Sequence, residues 1–190
     1  MPCPPHYDGL AIASSNPTKI AEYTRLSRGN IPVISGEDLR EIMGTPDEIA
    51  LYKAIEAGEG IIVEDSILVV DSVPVIDIKW KLPDLMERAK HETAKLVWEV
   101  RLAYLKAGEV RVYKGSLLGH LRPWDVAGPG YDPIFNVDGV GHSLARLENR
   151  GLKDHYSARA RAFKCLLANE PHLVVSRSDL PDWSGAFQNE

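Results

Sequence analysis

The stretch that most constrains this chain is residues 9–27, in which an apolar segment leads through a polar turn into a helix signal. Residues 9–13 are typical of a buried strand, and a helix is predicted to begin near Pro17. Proline in the first helical turn has a preset φ angle, and Asn16 before it is a good N-cap. Such a turn exposes backbone N–H groups that favour a phosphate, and Lys19 adds a cation. An ordinary turn with a solvated lysine is the alternative.

Composition narrows the class of protein. The chain has 190 residues, of which 44% are hydrophobic, and this suits one soluble domain in one or two lobes. A formal net charge of -5 argues against nucleic-acid or membrane-surface partners. Two cysteines are too few for a disulfide framework. We find no membrane-spanning run and no signal peptide, so the expected location is the cytoplasm. We expect an N-terminal tail (1–8), one domain (9–168) and a loosely ordered C-terminal tail (169–190).

Strand and helix signals alternate along the domain. Thr45 and Glu48 have the spacing of a capping box at the start of a second helix. The alternation predicts an α/β fold with a mixed, hairpin-bearing sheet. We predict helices at 18–27, 46–57, 83–92 and 156–167, and strands at 31–34, 60–63, 67–70, 96–104 and 110–118, with an extended segment at 131–137.

Three acidic residues are candidates for metal chemistry. Glu41, Glu48 and Asp65 are predicted at a loop, a helix start and a strand end, which meet at one edge of an α/β sheet. Two or three carboxylates suit Mg²⁺ that also binds substrate phosphates, and one of them can deprotonate a water. The alternative is a surface charge, a capping residue and a turn residue, respectively. For Asp65 we favour function, because carboxylates that interrupt an apolar run need partners.

Basic residues and one rigid loop complete the candidates. The loop at 128–135 contains two glycines and two prolines, and in it Tyr131 is suited to stack on a flat ring while Asp132 accepts hydrogen bonds. Arg159 and Arg161 lie two apart on a predicted helix, so only one of them points at a given site. The remaining basic candidates are Lys19, Lys53 and Lys153, each of which is also explained as a solvated charge.

Taken together, these stretches resemble the inosine triphosphate pyrophosphatase family, whose members hydrolyse non-standard purine nucleoside triphosphates. The family's first turn is matched by Ser14-Ser-Asn-Pro-Thr-Lys19, and its second helix start by Gly44-Thr-Pro-Asp-Glu48. Further motifs in the family's order are Glu64-Asp-Ser-Ile-Leu68, Ile78-Lys-Trp80, Pro129-Gly-Tyr-Asp-Pro133, and Lys153 followed by Ser157-Ala-Arg-Ala-Arg-Ala162.

The resemblance implies a two-lobed fold with a curved mixed sheet, flanking helices and a central nucleotide cleft. It implies hydrolysis of a nucleoside triphosphate to a monophosphate and pyrophosphate, and a homodimer. Glu41 and Asp65 would bind Mg²⁺, and Asp65 would accept the proton of the attacking water with Lys19 and Glu48 in support. Substrate contacts would come from Ser14, Ser15, Asn16, Thr18, Lys19, Lys53, Ser66, Gly130, Tyr131, Asp132, Lys153 and Arg159.

Two departures from the family pattern concern recognition of the base. Pro129 stands where the family has a phenylalanine, and Ala158 stands where it has a histidine. Because the loss of a directional hydrogen bond weakens discrimination, the base specificity is open. His155 lies on the same face as Ala158 if the last helix reaches it. The alternatives are the same chemistry on another base, as in the related Maf-type pyrophosphatases, and a nucleotide-binding protein with little or no catalysis.

Overall fold

The computed structural model describes residues 1–188 and contains eight strands and five α-helices in this part of the chain. The strands are β1 (Ala11–Ser14), β2 (Val33–Ser35), β3 (Ile61–Val70), β4 (Val73–Pro74), β5 (Lys95–Lys106), β6 (Glu109–Leu121), β7 (Phe135–Val137) and β8 (Leu173–Ser176). The helices are α1 (Pro17–Ser27), α2 (Pro46–Ala57), α3 (Ile78–Arg88), α4 (Leu144–Asn149) and α5 (Ala158–Ala168), with 3-10 turns at Lys153–His155 and Arg177–Asp179.

The strands form one open mixed sheet. Its order is β2-β1-β3-β5-β6-β7, with β4 beside β3 and β8 beside β6. Strand β1 pairs in parallel with β2 and with β3, whereas β4, β7 and β8 pair antiparallel with their neighbours. This confirms the predicted α/β class with a mixed sheet.

The chain divides into two compact units. Unit 1 contains residues 1–65, 101–114 and 162–190, and unit 2 contains residues 66–100 and 115–161. In unit 1, Ala54, Val63 and Val112 belong to a buried apolar cluster beneath α2. In unit 2, Leu121 and Phe135 are fully buried.

Both predicted helix starts are present. The Asn16 side chain accepts hydrogen bonds from the amides of Thr18 and Lys19, and α1 begins at Pro17. Thr45 and Glu48 form the reciprocal capping box of α2. Strands β5 and β6 form the predicted hairpin.

Two predictions of element boundaries are wrong. The separate strands predicted at 60–63 and 67–70 are one strand, β3, so Asp65 lies in the middle of a strand and not at its end. The helix predicted at 83–92 is α3, which begins at Ile78 and holds Pro83 in its interior. Pro83 is exposed, so its ring lies on the solvent side of the helix.

The expected loose C-terminal tail is also wrong for the described residues. Residues 173–176 form β8, which pairs antiparallel with β6 from Glu109 to Val112. Phe187 forms a β-bridge with Ile42. Residues 189–190 of the predicted tail lie outside the described part. No helix within residues 1–188 is long and apolar enough to cross a membrane.

Candidate active site

The polar turn between β1 and α1 is closed by its own side chains. Asn16 caps the amides of Thr18 at 2.9 Å and Lys19 at 3.3 Å, while the Ser14 hydroxyl accepts from the amide of Asn16 at 3.1 Å. The exposed Ser15 hydroxyl donates to the carboxylate of Asp38. The turn is therefore held in a compact form by its own side chains, and the amides of Thr18 and Lys19 in the first turn of α1 are bonded to Asn16.

Lys19 is held by a buried carboxylate. Its Nζ lies 3.1 Å from Oε1 of Glu64, whose side chain is only 2% exposed. Glu64 also accepts a hydrogen bond from the hydroxyl of Tyr23, which is fully buried. Burial, the charge of Glu64 and this hydrogen bond together hold the pKa of Tyr23 well above its usual value. Lys19 and Tyr23 are four residues apart on α1, so both reach the same carboxylate on β3.

A second lysine pairs with a second carboxylate in unit 1. Nζ of Lys53 on α2 donates to Oε1 of Glu41 at 2.9 Å, and both side chains are partly buried. Glu41 lies between β2 and α2, where the backbone of residues 36–45 has no helix or strand apart from the bridge at Ile42. The two predicted residues are therefore brought together.

Asp65 lies within reach of these charges. Burial raises the pKa of Asp65 to about 6. The charges of Lys53 and Lys19 lower this pKa, whereas those of Glu41 and Glu64 raise it. The structure thus places the Asp65 carboxylate amid two cations and two anions, all of them in unit 1.

The oxygen donors of this site fit a divalent cation that takes some of its ligands from the protein and the others from a substrate. Within residues 1–188, no three His, Cys, Asp or Glu side chains are grouped to hold a metal ion by themselves. Glu41 and Asp65 nevertheless offer oxygen donors, and the charge of Glu41 disfavours ionisation of Asp65. An added dication relieves that repulsion, and Mg²⁺ commonly takes one or two carboxylates plus substrate phosphates.

Glu48 has a structural contact. Its Oε1 accepts from the amide of Thr45 at 3.0 Å, which is half of the capping box. The capping role is therefore present, and the supporting catalytic role stays a prediction.

The predicted residues of unit 2 gather around Trp98. The indole Nε1 donates to the hydroxyl of Ser66 at 2.8 Å. The ring centroid of Trp98 lies 5.3 Å from the guanidinium carbon of Arg159 and 5.8 Å from Nζ of Lys153. Tyr131 meets the same ring edge-on at 6.4 Å between centroids. Trp98 therefore contacts four predicted substrate-binding residues, although it is itself 2% exposed.

Two charged groups in this cluster are strongly affected by burial. Burial raises the pKa of the Asp132 carboxyl. The ion pair with Lys153 at 2.5 Å opposes this shift, but the pKa stays above its usual value. Burial lowers the pKa of Arg159 to about 10. Arg161, two residues on, instead donates to the carbonyl of Ser116 at 2.6 Å, which confirms that the two arginines face different ways.

The two positions that depart from the family differ in their surroundings. Pro129 is exposed, in a turn closed by a hydrogen bond from the amide of Asp132 to its carbonyl, and Gly130 beside it has a φ of 52°. Ala158 is fully buried. Helix α5 begins at Ala158, and the exposed His155 lies outside it on a 3-10 turn. The condition that would place His155 on the face of Ala158 is not met.

Sequence reasoning missed Tyr23 and Trp98. The spacing of four between Lys19 and Tyr23 was the available signal for the first. Trp98 lies in an alternating strand pattern in which an aromatic residue is normally core, so its polar and cationic contacts had no local signal.

The sequence of this chain matches a known protein family. The model of the Ham1 family matches residues 10–169. This chain belongs to the Ham1 family. The membership confirms the family resemblance drawn from the sequence motifs.

Curated relatives of this Ham1 protein carry a common name. A dITP/XTP pyrophosphatase of Thermoanaerobacter sp. (strain X514) is 30% identical over 167 residues, covering 73% of this chain and 84% of the relative. A dITP/XTP pyrophosphatase of Opitutus terrae is 30% identical over 192 residues, covering 81% of this chain and 94% of the relative.

Two solved Ham1 structures share the fold. The Staphylococcus aureus Ham1 protein superposes with a TM-score of 0.65 at 23% identity, covering 84% of this chain and 96% of the other. A HAM1 protein from Coxiella burnetii gives a TM-score of 0.62 at 23% identity, covering 84% and 98%.

Proposed function

We propose that this Ham1 protein is a Mg²⁺-dependent nucleoside triphosphate pyrophosphatase that releases pyrophosphate and a nucleoside monophosphate. The observation that carries the proposal is the partly buried carboxylate of Asp65 amid Lys19, Lys53, Glu41 and Glu64. Family membership and the relatives named dITP/XTP pyrophosphatase support the enzyme class.

The phosphate-binding group is proposed to lie in unit 1. The cations of Lys19 and Lys53 would hold phosphate oxygens, together with the amides and hydroxyls of the turn at 14–19. Each lysine is held in position by a carboxylate. Nζ of Lys19 lies 3.1 Å from Oε1 of Glu64, and Nζ of Lys53 lies 2.9 Å from Oε1 of Glu41. The triphosphate would compete with these carboxylates for the lysines, as well as with Asp38 for Ser15. Ser66 is proposed to add a contact to phosphate or sugar.

The reaction is a displacement at the α-phosphorus. A water oxygen forms the new bond to the α-phosphorus, the bond to the bridging oxygen breaks, and pyrophosphate leaves with the electron pair. The carboxylate of Asp65 accepts the water proton, and Glu48 supports it. Glu41 and Asp65 would hold Mg²⁺, which when bound supplies positive charge to the phosphate oxygens. Lys19 and Lys53 add to that charge as pyrophosphate departs.

The base-recognition group is proposed to lie in unit 2. Tyr131 offers an aromatic face, and the Asp132–Lys153 pair and Arg159 offer hydrogen bonds. The substrates proposed are deoxy- or ribonucleoside triphosphates of non-standard or modified purines, such as the dITP and XTP named for the relatives.

A second candidate is the same chemistry on a different base. The buried methyl of Ala158 and the exposed Pro129 offer neither the hydrogen bond nor the stacking face of the family residues. A third candidate, a nucleotide-binding protein with little catalysis, is disfavoured because binding alone does not need a partly buried carboxylate such as Asp65, on which the charges of both lysines act.

The test measures pyrophosphate release by Asp65→Asn and by the unchanged chain, each with and without Mg²⁺. The substrate panel contains inosine and xanthosine triphosphates, the standard nucleoside triphosphates and triphosphates of modified bases. We expect a loss of at least about a hundredfold in turnover, with nucleotide affinity within a few-fold. Asp71→Asn is the matched control, because Asp71 lies just past the C-terminal end of β3, in unit 2, and accepts from the amide of Lys95. Unchanged turnover of Asp65→Asn would refute its assignment, and binding without turnover by the unchanged chain would favour the third candidate.

The resemblance also leads us to propose a homodimer in the cytoplasm. Gel filtration with light scattering tests the dimer, and microscopy of the tagged chain tests the location.

A further inference from the structure

Residues 181–188, which we call the C-terminal strap, lie beyond the part of the chain that the Ham1 family model matches. The strap runs antiparallel to the segment around Glu41. The amide of Met43 donates to the carbonyl of Ala186 at 2.9 Å, and the amide of Gln188 donates to the carbonyl of Glu41 at 2.8 Å. These bonds flank the bridge between Ile42 and Phe187.

Side chains anchor the strap to the same part of unit 1. The guanidinium carbon of Arg40 lies 4.3 Å from the ring centroid of Phe187. Trp183 packs against Tyr52 at 5.3 Å between ring centroids, and the Tyr52 hydroxyl donates to the carbonyl of Pro181 at 2.8 Å. Nε1 of Trp183 donates to the carbonyl of Ala186 at 3.0 Å, which closes the strap on itself.

The strap thereby contacts both neighbours of the candidate metal ligand. Glu41 lies between Arg40 and Ile42, each of which has a strap partner, and Lys53, which bonds Glu41, follows Tyr52. Residues 36–45 contain no helix or strand. The bridge between Ile42 and Phe187 therefore supplies regular backbone pairing to an otherwise irregular segment. A cavity of about 190 Å³ lies among Arg40, Tyr52, Trp183 and Phe187, so the strap is not closely packed against unit 1 at this point.

We propose that the C-terminal strap positions Glu41 for the divalent cation, with Phe187 and Trp183 as positioning residues. The inference rests on the proposed function, because it takes Glu41 as a metal ligand. Its physical basis is preorganisation. A carboxylate on an irregular segment loses conformational freedom when it binds a cation, and a strap that fixes the backbone beforehand reduces that cost.

The experiment measures Mn²⁺ binding to the full chain without nucleotide, by the electron paramagnetic resonance of free Mn²⁺. Phe187→Ala removes the ring over Arg40, and we expect the dissociation constant to rise by about tenfold. Phe187→Tyr keeps the ring, and we expect it to restore the dissociation constant to within about twofold of the unchanged chain. The matched control is Trp80→Ala, since Trp80 is an aromatic residue of unit 2 that is 76% exposed.

A second variant covers the case in which Phe187→Ala fails to fold. A Cβ at Gly185 would lie 2.6 Å from the Trp183 ring, so Gly185→Ala should displace the strap without changing an anchoring side chain. Hydrogen exchange of the Met43 amide reports whether the strap has detached. We expect faster exchange and weaker Mn²⁺ binding together.

The outcomes separate the two proposals. If Glu41→Ala weakens Mn²⁺ binding but a variant with a rapidly exchanging Met43 amide binds Mn²⁺ normally, the strap inference is overturned. If Glu41→Ala leaves Mn²⁺ binding unchanged, Glu41 is not a ligand and the metal assignment of the proposed function fails. A strap variant that lowers only the melting temperature, with Mn²⁺ binding intact, also overturns the inference.

Discussion

At the scale of single residues, the buried carboxylate of Glu64 connects the stability of the fold with the phosphate binding that we propose. It accepts a hydrogen bond from Tyr23 and pairs with Lys19, and both partners compensate for its burial. A buried charge without such partners is strongly unfavourable. Glu64 therefore keeps Lys19 near the start of α1, where we propose that it meets the triphosphate.

Removing the Tyr23 hydroxyl should affect both properties. We expect Tyr23→Phe to lower the free energy of unfolding by about 1–3 kcal/mol, because a hydrogen bond to a buried charge is lost. The KM for the triphosphate should rise several-fold, because the hydroxyl no longer helps to fix Glu64, the partner of Lys19. Urea unfolding and steady-state kinetics measure the two effects. Tyr113→Phe is the control, since the fully buried Tyr113 bonds the neutral Asn169 at 2.9 Å. An unaltered KM in Tyr23→Phe would show that fixing Glu64 through the Tyr23 hydroxyl has no effect on substrate binding.

The two positions that depart from the family pattern, Pro129 and Ala158, give a prediction that depends on how far each residue is buried. Ala158 is fully buried, so Ala158→His must displace its neighbours, and we expect a loss of about 1–3 kcal/mol in stability with no gain in preference for inosine triphosphate. Pro129→Phe lies on the surface and should raise kcat/KM for purines by adding a stacking face. Thermal unfolding and kcat/KM ratios between inosine and guanosine triphosphates measure both. A stable Ala158→His variant with a new preference for inosine would contradict the prediction.

At the scale of elements, an ion-pair network joins α2, β5 and the residue before β8. Nε of Arg101 donates to Asp47 at 2.6 Å, and Nε2 of His172 lies 3.1 Å from the same carboxylate. Burial raises the pKa of Asp47, but the hydrogen bonds and charges of Arg101 and His172 lower it more, so that the pKa of Asp47 falls below its usual value. The ionised form of Asp47 therefore stabilises the folded chain.

This network predicts a pH dependence of stability. Because the folded pKa lies below the unfolded pKa, the stabilisation is present above about pH 4 and is lost as the pH falls through the folded pKa. We expect Asp47→Asn to melt at a lower temperature than the unchanged chain at pH 7, with the difference shrinking below pH 4. Calorimetry across this range measures it, and Asp179→Asn on an exposed turn serves as control. A difference that persists at the lowest pH would show that the network is not the cause.

The elements also show how far the sequence predicts the structure. Asn16, Thr45 and Glu48 act on amides within three residues, and both helix starts were predicted from them. The division of β3 into two strands was wrong because Glu64 and Asp65 interrupt an apolar run, and the side chains that stabilise Glu64 come from α1. Strand β8 was missed because its four residues gain their stability from pairing with β6, far away in sequence.

The site divides in the same way. The pair of Lys53 with Glu41 and the cluster around Lys153 and Arg159 involve residues that are already candidates in the sequence. Trp98, which connects that cluster, and the strap partners Phe187 and Trp183 depend on tertiary contacts alone. Local patterns and the family resemblance predicted the residues, and packing determined which of them touch.

At the scale of the whole molecule, the residues that we propose for the triphosphate and those that we propose for the base fall mainly into different units. The lysines and carboxylates proposed for the triphosphate belong to unit 1, and Tyr131, Asp132, Lys153 and Arg159 belong to unit 2. The departures at Pro129 and Ala158 are confined to unit 2. We therefore expect the reaction type to follow the family and the base preference to be the property that differs.

The most direct test of the central claim is the position of solvent oxygen in the products. Inosine triphosphate is hydrolysed by the unchanged chain with Mg²⁺ in ¹⁸O-water, and the products are analysed by mass spectrometry, with Asp65→Asn as the control for background hydrolysis. If inosine is not accepted, the best triphosphate of the panel is used. We predict one ¹⁸O in the monophosphate and unlabelled pyrophosphate. Label in pyrophosphate, or release of inorganic phosphate in its place, would contradict attack at the α-phosphorus.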